Sequence, residues 1–538
     1  MKRGIEAGTY RLMGFLVAVC AVLLIAQSWR ERYAMNPDGM SYLDMADRLR
    51  QHDAGAWLHP YWSPLYPGLL ALTFKLIPPD AATKFPLAHL LNCLIGLASL
   101  AAFTFFLMQW PRLRGDSRPV VLFGYACFLW CSIEVIGLQT VSPDLLVSAL
   151  LFLAGGLVCS MSGPGDRKRS TAVWLGIVLA LAFLTKAVML VLGAALLLLL
   201  WLARVRRRDI ALAALVFALL AGVHIGFLSA RLGKFSFSES GRLNYAWFVQ
   251  EGIPMDYGWM GEDGRHGTPL HPPRRVRQQP EVLEFNYAQV PGTYPLWYDP
   301  AFFHEGIELH FDLGKQLAVL ATAPNLIRWS HGRNVYVLLA GMLALVWLAR
   351  RDWGLAWKRL RENAWLVVWP LAATVVYSAV FVTPRYLGPF LVFFWMGVYE
   401  ALRGTRAAGG VYVLAAMLIA GISVRAAWSN PPAAPTAYLV SQELAGAGLR
   451  DGNLIATLGK GVDAYYAHLA KLRIGADIDS EQAFWRLPRV EAQAIEETLR
   501  QTGVRAIVSQ HACPVPAPDG WRELPRTGTC LKLFSDSR

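Results

Sequence analysis

Apolar runs long enough to cross a bilayer recur through roughly the first 430 residues of this 538-residue chain, and they leave few folds open to it. Inside a bilayer every backbone N–H and C=O needs an internal partner, so such a chain folds as a bundle of helices. Eleven spans are expected, at 11–28, 85–109, 120–140, 145–160, 172–185, 187–203, 210–230, 334–349, 364–382, 386–402 and 409–428. Several are shorter than the ~20 residues of a perpendicular crossing, which leaves their ends soft. The pair 172–185 and 187–203 reads as two spans or as one long helix. Two spans keep the flanking basic loops on one side. Segment 11–28 follows Lys2, Arg3 and Arg11 and reads as a signal peptide or an uncleaved anchor. No small-x-small cleavage site stands out and more spans follow, so the anchor is expected.

The loop charges orient the bundle. Short cytoplasmic loops of membrane proteins carry an excess of Lys and Arg. Here Arg112, Arg114 and Arg118 form one cluster, and Arg167, Lys168 and Arg169 a second. Arg204, Arg206, Arg207 and Arg208 form a third. Arg350, Arg351, Lys358, Arg359 and Arg361 follow, then Arg403 and Arg406. With a cytoplasmic N-terminus all of these loops fall inside. The net charge of +13 is accounted for in this way, and no basic face for nucleic acid is expected.

Three segments then lie outside: 29–84, 231–333 and the tail 429–538. Within the first, 65–77 is apolar but too short to span and reads as a juxtamembrane helix. The tail alternates strand and helix signals. Asn453–Leu458, Val504–Ser509 and Cys530–Phe534 read as strands, and Val462–Lys471 and Val490–Gln501 as helices. The expected architecture is therefore an all-α polytopic membrane bundle, residues 1–428, with a small C-terminal α/β domain. That domain reads most simply as a stabilising or docking module. Of the seven cysteines, Cys513 and Cys530 lie in the tail, where an oxidising compartment would permit a disulfide. The other five fall within apolar runs and read as small core residues.

Four groups on the outer side carry chemistry. Asn36-Pro37-Asp38-Gly39-Met40-Ser41-Tyr42 is a turn running into a helix, with Asp44 and Asp47 beyond it. His59-Pro60-Tyr61-Trp62-Ser63-Pro64-Leu65 is a rigid aromatic surface. Ser142-Pro143-Asp144 opens a span. Lys186 and Arg385, in Thr383-Pro384-Arg385-Tyr386, are basic residues outside, against the general trend. Each has a plain structural reading. Asp38 and Asp144 suit helix starts as caps. The aromatics, with Trp57, suit an interfacial belt, and His59, a metal ligand or a solvated side chain, suits solvent better because it stands alone. The cations suit lipid headgroups. Together they place acids that can activate a hydroxyl and cations that can hold a phosphate on one side of the membrane.

This arrangement resembles the GT-C superfamily of integral-membrane glycosyltransferases over residues 1 to 428. The nearest likeness is to the dolichyl-phosphate-mannose protein mannosyltransferase and lipid A aminoarabinose transferase types. Asp38 to Tyr42 is similar to the family's acidic motif after span one, with Gly39 in place of the second acid. His59-Pro60 with Ser63-Pro64-Leu65 is similar to its juxtamembrane element, interrupted by Tyr61 and Trp62. Leu184-Thr185-Lys186 and Arg385-Tyr386-Leu387-Gly388-Pro389 are similar to two further elements.

The resemblance implies a multi-pass enzyme of the bacterial inner membrane with its C-terminal domain in the periplasm. Its donor is a polyprenyl-phosphate-linked sugar, its acceptor a lipid, glycan or protein hydroxyl, and the transfer inverts the anomeric carbon. It implies Asp38 as general base, Lys186 and Arg385 on the phosphate, and Asp144, Tyr42, His59, Trp62 and Tyr386 around the substrates. Some relatives use a divalent metal; the sequence shows no ligand cluster that demands one. Membrane lipids surround the spans. The rival functions are a transporter or flippase of a lipid-linked sugar, a glycan ligase or polymerase, and a non-catalytic scaffold. A transporter would show internal repeats and midplane charges, and neither is evident. Glu134 comes closest, near the outer end of its span. The Trp-Trp-Asp motif of an oligosaccharyltransferase is missing.

Overall fold

The computed structural model describes residues 6–110, 117–162, 169–203, 205–250, 253–255, 258–262, 264–287, 289–350, 352–403 and 408–534. Lys2, Arg3, Arg112, Arg114, Arg167, Lys168, Arg204, Arg351 and Arg406 lie outside the described residues.

The apolar runs are helices. α1 (Ala7–Arg30) leads to α2 (Pro37–Arg50) and the juxtamembrane α3 (Leu65–Leu76). α4 (Lys84–Gln109), α5 (Arg118–Leu129), α6 (Asp144–Ser162), α7 (Ser170–Thr185), α8 (Met189–Leu202) and α9 (Arg207–Leu232) follow. α5 continues as a wider-wound π segment, Trp130–Ile136, which stops at Gly137 with φ of 73°. Such turns concentrate at functional sites. Next come α10 (Ser240–Phe248), the single turns α11 (Pro295–Tyr298) and α12 (Pro300–Phe303), α13 (Leu313–His331) and α14 (Asn334–Ala349). α15 (Trp353–Glu362), α16 (Trp365–Ser378), α17 (Pro384–Leu402) and α18 (Ala408–Ala427) complete the bundle.

Six of these helices, α1, α4, α5 with its π segment, α6, α9 and α18, are long and apolar enough to cross a bilayer alone. α13 and α14, bent by 93°, make a seventh if taken together. α7, α8 and α16, of 16, 14 and 14 residues, are shorter, so helix length does not fix the crossings at eleven. α13 forms within the expected outer loop 231–333. Lys315, Gln316, Asn325 and Arg328 dilute its apolar signal, and the Asp312 side chain caps it by accepting from Lys315 N at 3.0 Å. α4 and α6 pack closely because Gly156 leaves room. A Cβ there would lie 2.4 Å from the Phe105 ring.

The tail forms α19 (Thr436–Gly446), α20 (Tyr465–Leu469), α21 (Glu481–Trp485) and α22 (Arg489–Gln501) around a sheet. Its strands are β1 (Arg274–Gln278), β2 (Glu281–Glu284), β3 (Leu454–Leu458), β4 (Arg473–Ile478), β5 (Val504–Ser509), β6 (Trp521–Glu523) and β7 (Cys530–Leu533). Their order is β1-β2-β4-β3-β5-β7-β6, with β4, β3 and β5 parallel. Central parallel strands are buried on both faces, and β3 and β5 carry the runs this requires. The expected helix 462–471 shrinks to the five residues of α20, and β4 was missed because Gly475 and Asp477 interrupt its apolar pattern.

The sheet is not confined to the tail. β1 and β2 come from segment 231–333, and β2 pairs antiparallel with β4, Val282 opposite Ile478. One face of the sheet buries Leu458, Ile478, Ile495, Leu499 and Ile507 under α21 and α22. On the other face Ile455, Ile474 and Val508 join a core continuous with the membrane helices. Cys513 and Cys530 are disulfide-bonded.

Candidate active site

Four helix ends meet around one cavity: the N-termini of α2, α6 and α17, and the C-terminus of α7. The sequence dictates each end. Pro37 and Pro384 occupy the first turns of α2 and α17, where a missing N–H costs nothing and the fixed φ suits the helix. α7 stops at Thr185 because Lys186 is extended. Three helix N-termini pointing together favour negative charge between them.

Gly39 allows the start of α2 to come close to the segment before α6. The Asn36 side-chain oxygen accepts from Val141 N at 2.7 Å. A Cβ on Gly39 would lie 2.7 Å from Met35 Sδ and 2.9 Å from Val141 Cβ. Glycine stands where the resemblance expects an acid, and a side chain there would run into those of Met35, Val141 and Asn36.

Within the cavity two acids and two cations interlock. Arg385 Nη2 donates to Asp38 Oδ2 at 2.6 Å, and Arg385 Nε lies 3.5 Å from Asp144 Oδ2. Lys186 Nζ donates to Asp144 Oδ1 at 2.6 Å, and Ser142 Oγ donates to Asp144 Oδ2 at 3.1 Å. Asp38 and Asp144 therefore do more than cap helices. Asn36, not Asp38, sits at the cap of α2, and its side chain makes no capping bond. The Lys186 ammonium also lies over the Tyr386 ring, 3.3 Å from its centre.

The cavity holds about 510 Å³, and its lining includes Asp38, Tyr42, Trp62, Asp144, Lys186, Arg385 and Tyr386. That volume is within the range of small-molecule sites. Away from the charged cluster its wall is apolar, with Val188, Val191, Phe248, Val376, Val380 and Phe381. Tyr42 packs edge-on against Trp62 and Tyr66, with ring centres 5.1 and 5.2 Å apart. Burial, then the carboxylates of Asp38 and Asp144, push its phenol upward, so it stays protonated.

His59 is 6% exposed, not solvated, and does not line the cavity. Its Nδ1 accepts from Tyr61 N at 3.2 Å and Trp62 N at 3.3 Å, so it shapes the turn that presents Tyr61 and Trp62. Burial, against the pull of Asp299, lowers its pKa to about 4, and it is neutral at pH 7. Trp57 is also outside the cavity lining and covers Gly68 instead.

Sequence reasoning missed one wall. Ser240, Gly241, Asn244 and Phe248 of α10, with Trp297, line the cavity from within segment 231–333. The spacing of the α10 residues fits one helix face, and that was the available signal. Among the described residues no group of three His, Cys, Asp or Glu side chains could hold a metal ion.

No family model matches the chain, and no curated protein matches its sequence. Solved structures do match its fold. ArnT from Cupriavidus metallidurans bound to undecaprenyl phosphate aligns with a TM-score of 0.55 at 12% identity, over 99% of each chain. The same protein in the apo state gives 0.54 at 12% identity, over 98% of each chain. An oligosaccharyltransferase from Archaeoglobus fulgidus, in complex with Zn and sulfate, gives 0.52 at 12% identity, covering 92% of this chain and 67% of the other. The chain shares its overall fold with these structures, tail included.

Proposed function

We propose that this chain is an inverting glycosyltransferase, moving a sugar from a polyprenyl-phosphate-linked donor to an acceptor hydroxyl at the periplasmic face of the bacterial inner membrane. The observation that carries this is the Asp38–Arg385–Asp144–Lys186 cluster, set at three helix N-termini beside an apolar wall. Two carboxylates and two cations balance, and the donor's phosphodiester adds one negative charge. The helix N-termini and the two cations receive it. The apolar wall suits a prenyl chain.

The acceptor oxygen attacks the anomeric carbon from the face opposite the phosphate, and the carbon–oxygen bond to phosphate breaks. Asp38 takes the acceptor's proton. The leaving polyprenyl phosphate is a stable anion and needs no strong acid; Lys186 and Arg385 stabilise its growing charge. Asp144 holds both cations in place. Tyr42, Trp62 and Tyr386 contact the sugar. The acceptor is a lipid, glycan or protein hydroxyl.

The charged cluster gathers where α6 and α17 begin and α7 ends, while Arg169 and Arg403 sit at their opposite ends. The positive-inside rule then turns the cavity outward, with eleven crossings and the C-terminal domain in the periplasm. ArnT bound to undecaprenyl phosphate shares this fold, which supports a polyprenyl-phosphate donor. The test is release of polyprenyl phosphate by the purified chain from a panel of synthetic polyprenyl-phosphate sugars. Release from at least one donor, dependent on an acceptor, is expected; none from any donor overturns the reading.

A further inference from the structure

We infer that His468, in the C-terminal domain, is a positioning residue for the transfer proposed above, on which this inference rests. It ties that domain at once to the helix carrying Asp38 and to the loop segment carrying Trp297.

The tie is a buried triangle. Asp44, on α2, is 9% exposed, Thr293 6% and His468 5%. Asp44 Oδ1 lies 2.8 Å from His468 Nδ1 and accepts from Thr293 Oγ1 at 2.8 Å. Asp44 Oδ2 accepts from Thr293 N at 2.7 Å, and Thr293 Oγ1 lies 3.1 Å from His468 Nδ1. A buried carboxylate is tolerated only when hydrogen-bonded or paired, so the three residues hold one another in place. The other ring nitrogen, His468 Nε2, is also buried and lies 3.7 Å from Asp47 Oδ2, and Asp47 in turn receives the Lys84 ammonium at the start of α4.

Both arms of the triangle lead to the cavity. Asp44 is six residues beyond Asp38, about 240° around the helix, so one face of α2 meets the cavity while another meets the domain. α2 is one unbroken helix of 14 residues, so a shift at Asp44 is carried along it to Asp38 and alters the contact with Arg385. Thr293 lies just before α11, whose Trp297 lines the cavity and whose Tyr298 carbonyl accepts from Trp62 Nε1 at 2.9 Å. A second strut, from Tyr294 OH to Asp477 Oδ2 at 3.1 Å, joins the same segment to β4. The domain that sequence alone reads as a stabilising module thus holds two walls of the site in register. Reacting groups displaced by an ångström lose up to about a hundredfold in rate.

The test uses the full chain in nanodiscs, with His468→Ala and His468→Asn, whose amide can replace Nδ1. Hydrogen exchange is measured over residues 37–50 and 293–298, together with binding of undecaprenyl phosphate and turnover of a donor the wild type uses. In His468→Ala exchange should rise in both segments and kcat should fall about ten- to hundredfold. Undecaprenyl phosphate binding should stay within about threefold, and His468→Asn should regain most of the lost kcat. Unchanged kcat in His468→Ala overturns the inference. So does a loss of kcat accompanied by lost binding and by exchange rising throughout the chain, or an Asn variant as impaired as Ala. If the wild type turns over no donor, the transfer reading fails by itself. Exchange still decides the tie, and no rise in the two segments refutes it.

Discussion

Arg385 Nη2 lies 2.6 Å from Asp38 Oδ2, a contact between residues 347 positions apart in the chain. The same guanidinium reaches Asp144 through Nε, at 3.5 Å. One planar fork therefore gathers the starts of α2, α6 and α17. A phosphate entering between the helix N-termini competes for the same fork. Under the transfer proposed above, that competition would free Asp38 to accept a proton when the donor is bound.

Arg385 should consequently govern donor binding more than acceptor binding. Hydrogen bonds to charged groups are worth about 1.5–3 kcal/mol, so Arg385→Ala should weaken undecaprenyl phosphate binding at least about tenfold. Arg385→Lys keeps the charge without the fork and should fall between. Titration of each variant with undecaprenyl phosphate and with acceptor checks this. Equal losses for both ligands would count against a phosphate role.

Gly39→Ala should disturb the site without touching a charged group. Its Cβ would meet Met35 Sδ at 2.7 Å, Val141 Cβ at 2.9 Å and Asn36 Oδ1 at 3.0 Å. Relief requires the start of α2 to move away from the segment before α6. Overpacking of this kind costs about 1–3 kcal/mol. Activity should drop while the chain still folds and inserts, as read by turnover beside thermal unfolding.

In the C-terminal domain, burial pushes the Asp477 carboxyl up from its ordinary 3.8 to about 7, against hydrogen bonds from Thr457, Gly461 N and Tyr294. The folded chain then holds a proton that the unfolded chain has released. Stability contributed by the protonated form is complete below about pH 4 and is lost as pH rises toward about 7, after which the curve is level. Asp477→Asn should flatten that slope. Thermal unfolding measured across this pH range decides it, and an unchanged slope refutes it.

The Cys513–Cys530 disulfide links residues 17 apart and ties the segment after β5 to β7. Opening a loop of that size removes about 3 kcal/mol of constraint on the unfolded chain. Cys513→Ala should lower the unfolding midpoint of the tail, followed by hydrogen exchange over residues 504–533, and leave undecaprenyl phosphate binding within about twofold.

Much of the fold was legible because apolar runs and basic loops are local signals. The helix ends at Pro37, Asp144, Lys186 and Pro384 were readable for the same reason, and they carry the charged cluster. What sequence did not disclose depends on long-range contact. Nothing near His59 shows that its imidazole accepts from the backbone of Tyr61 and Trp62. Nothing near Val282 shows that its strand extends a sheet built mostly from the tail. α13 escaped notice because polar residues mask its apolar face. Asp44 and His468 are 424 positions apart, and no pattern in either segment pairs them.

The most direct measurement compares wild type with Asp38→Asn for both undecaprenyl phosphate binding and single-turnover transfer. The variant keeps the shape of the side chain and removes the base. Binding should persist within a few fold, while the transfer rate falls by about 10²–10⁴. Transfer at the wild-type rate in Asp38→Asn would contradict Asp38 as the base and, with it, the chemistry assigned to this cavity.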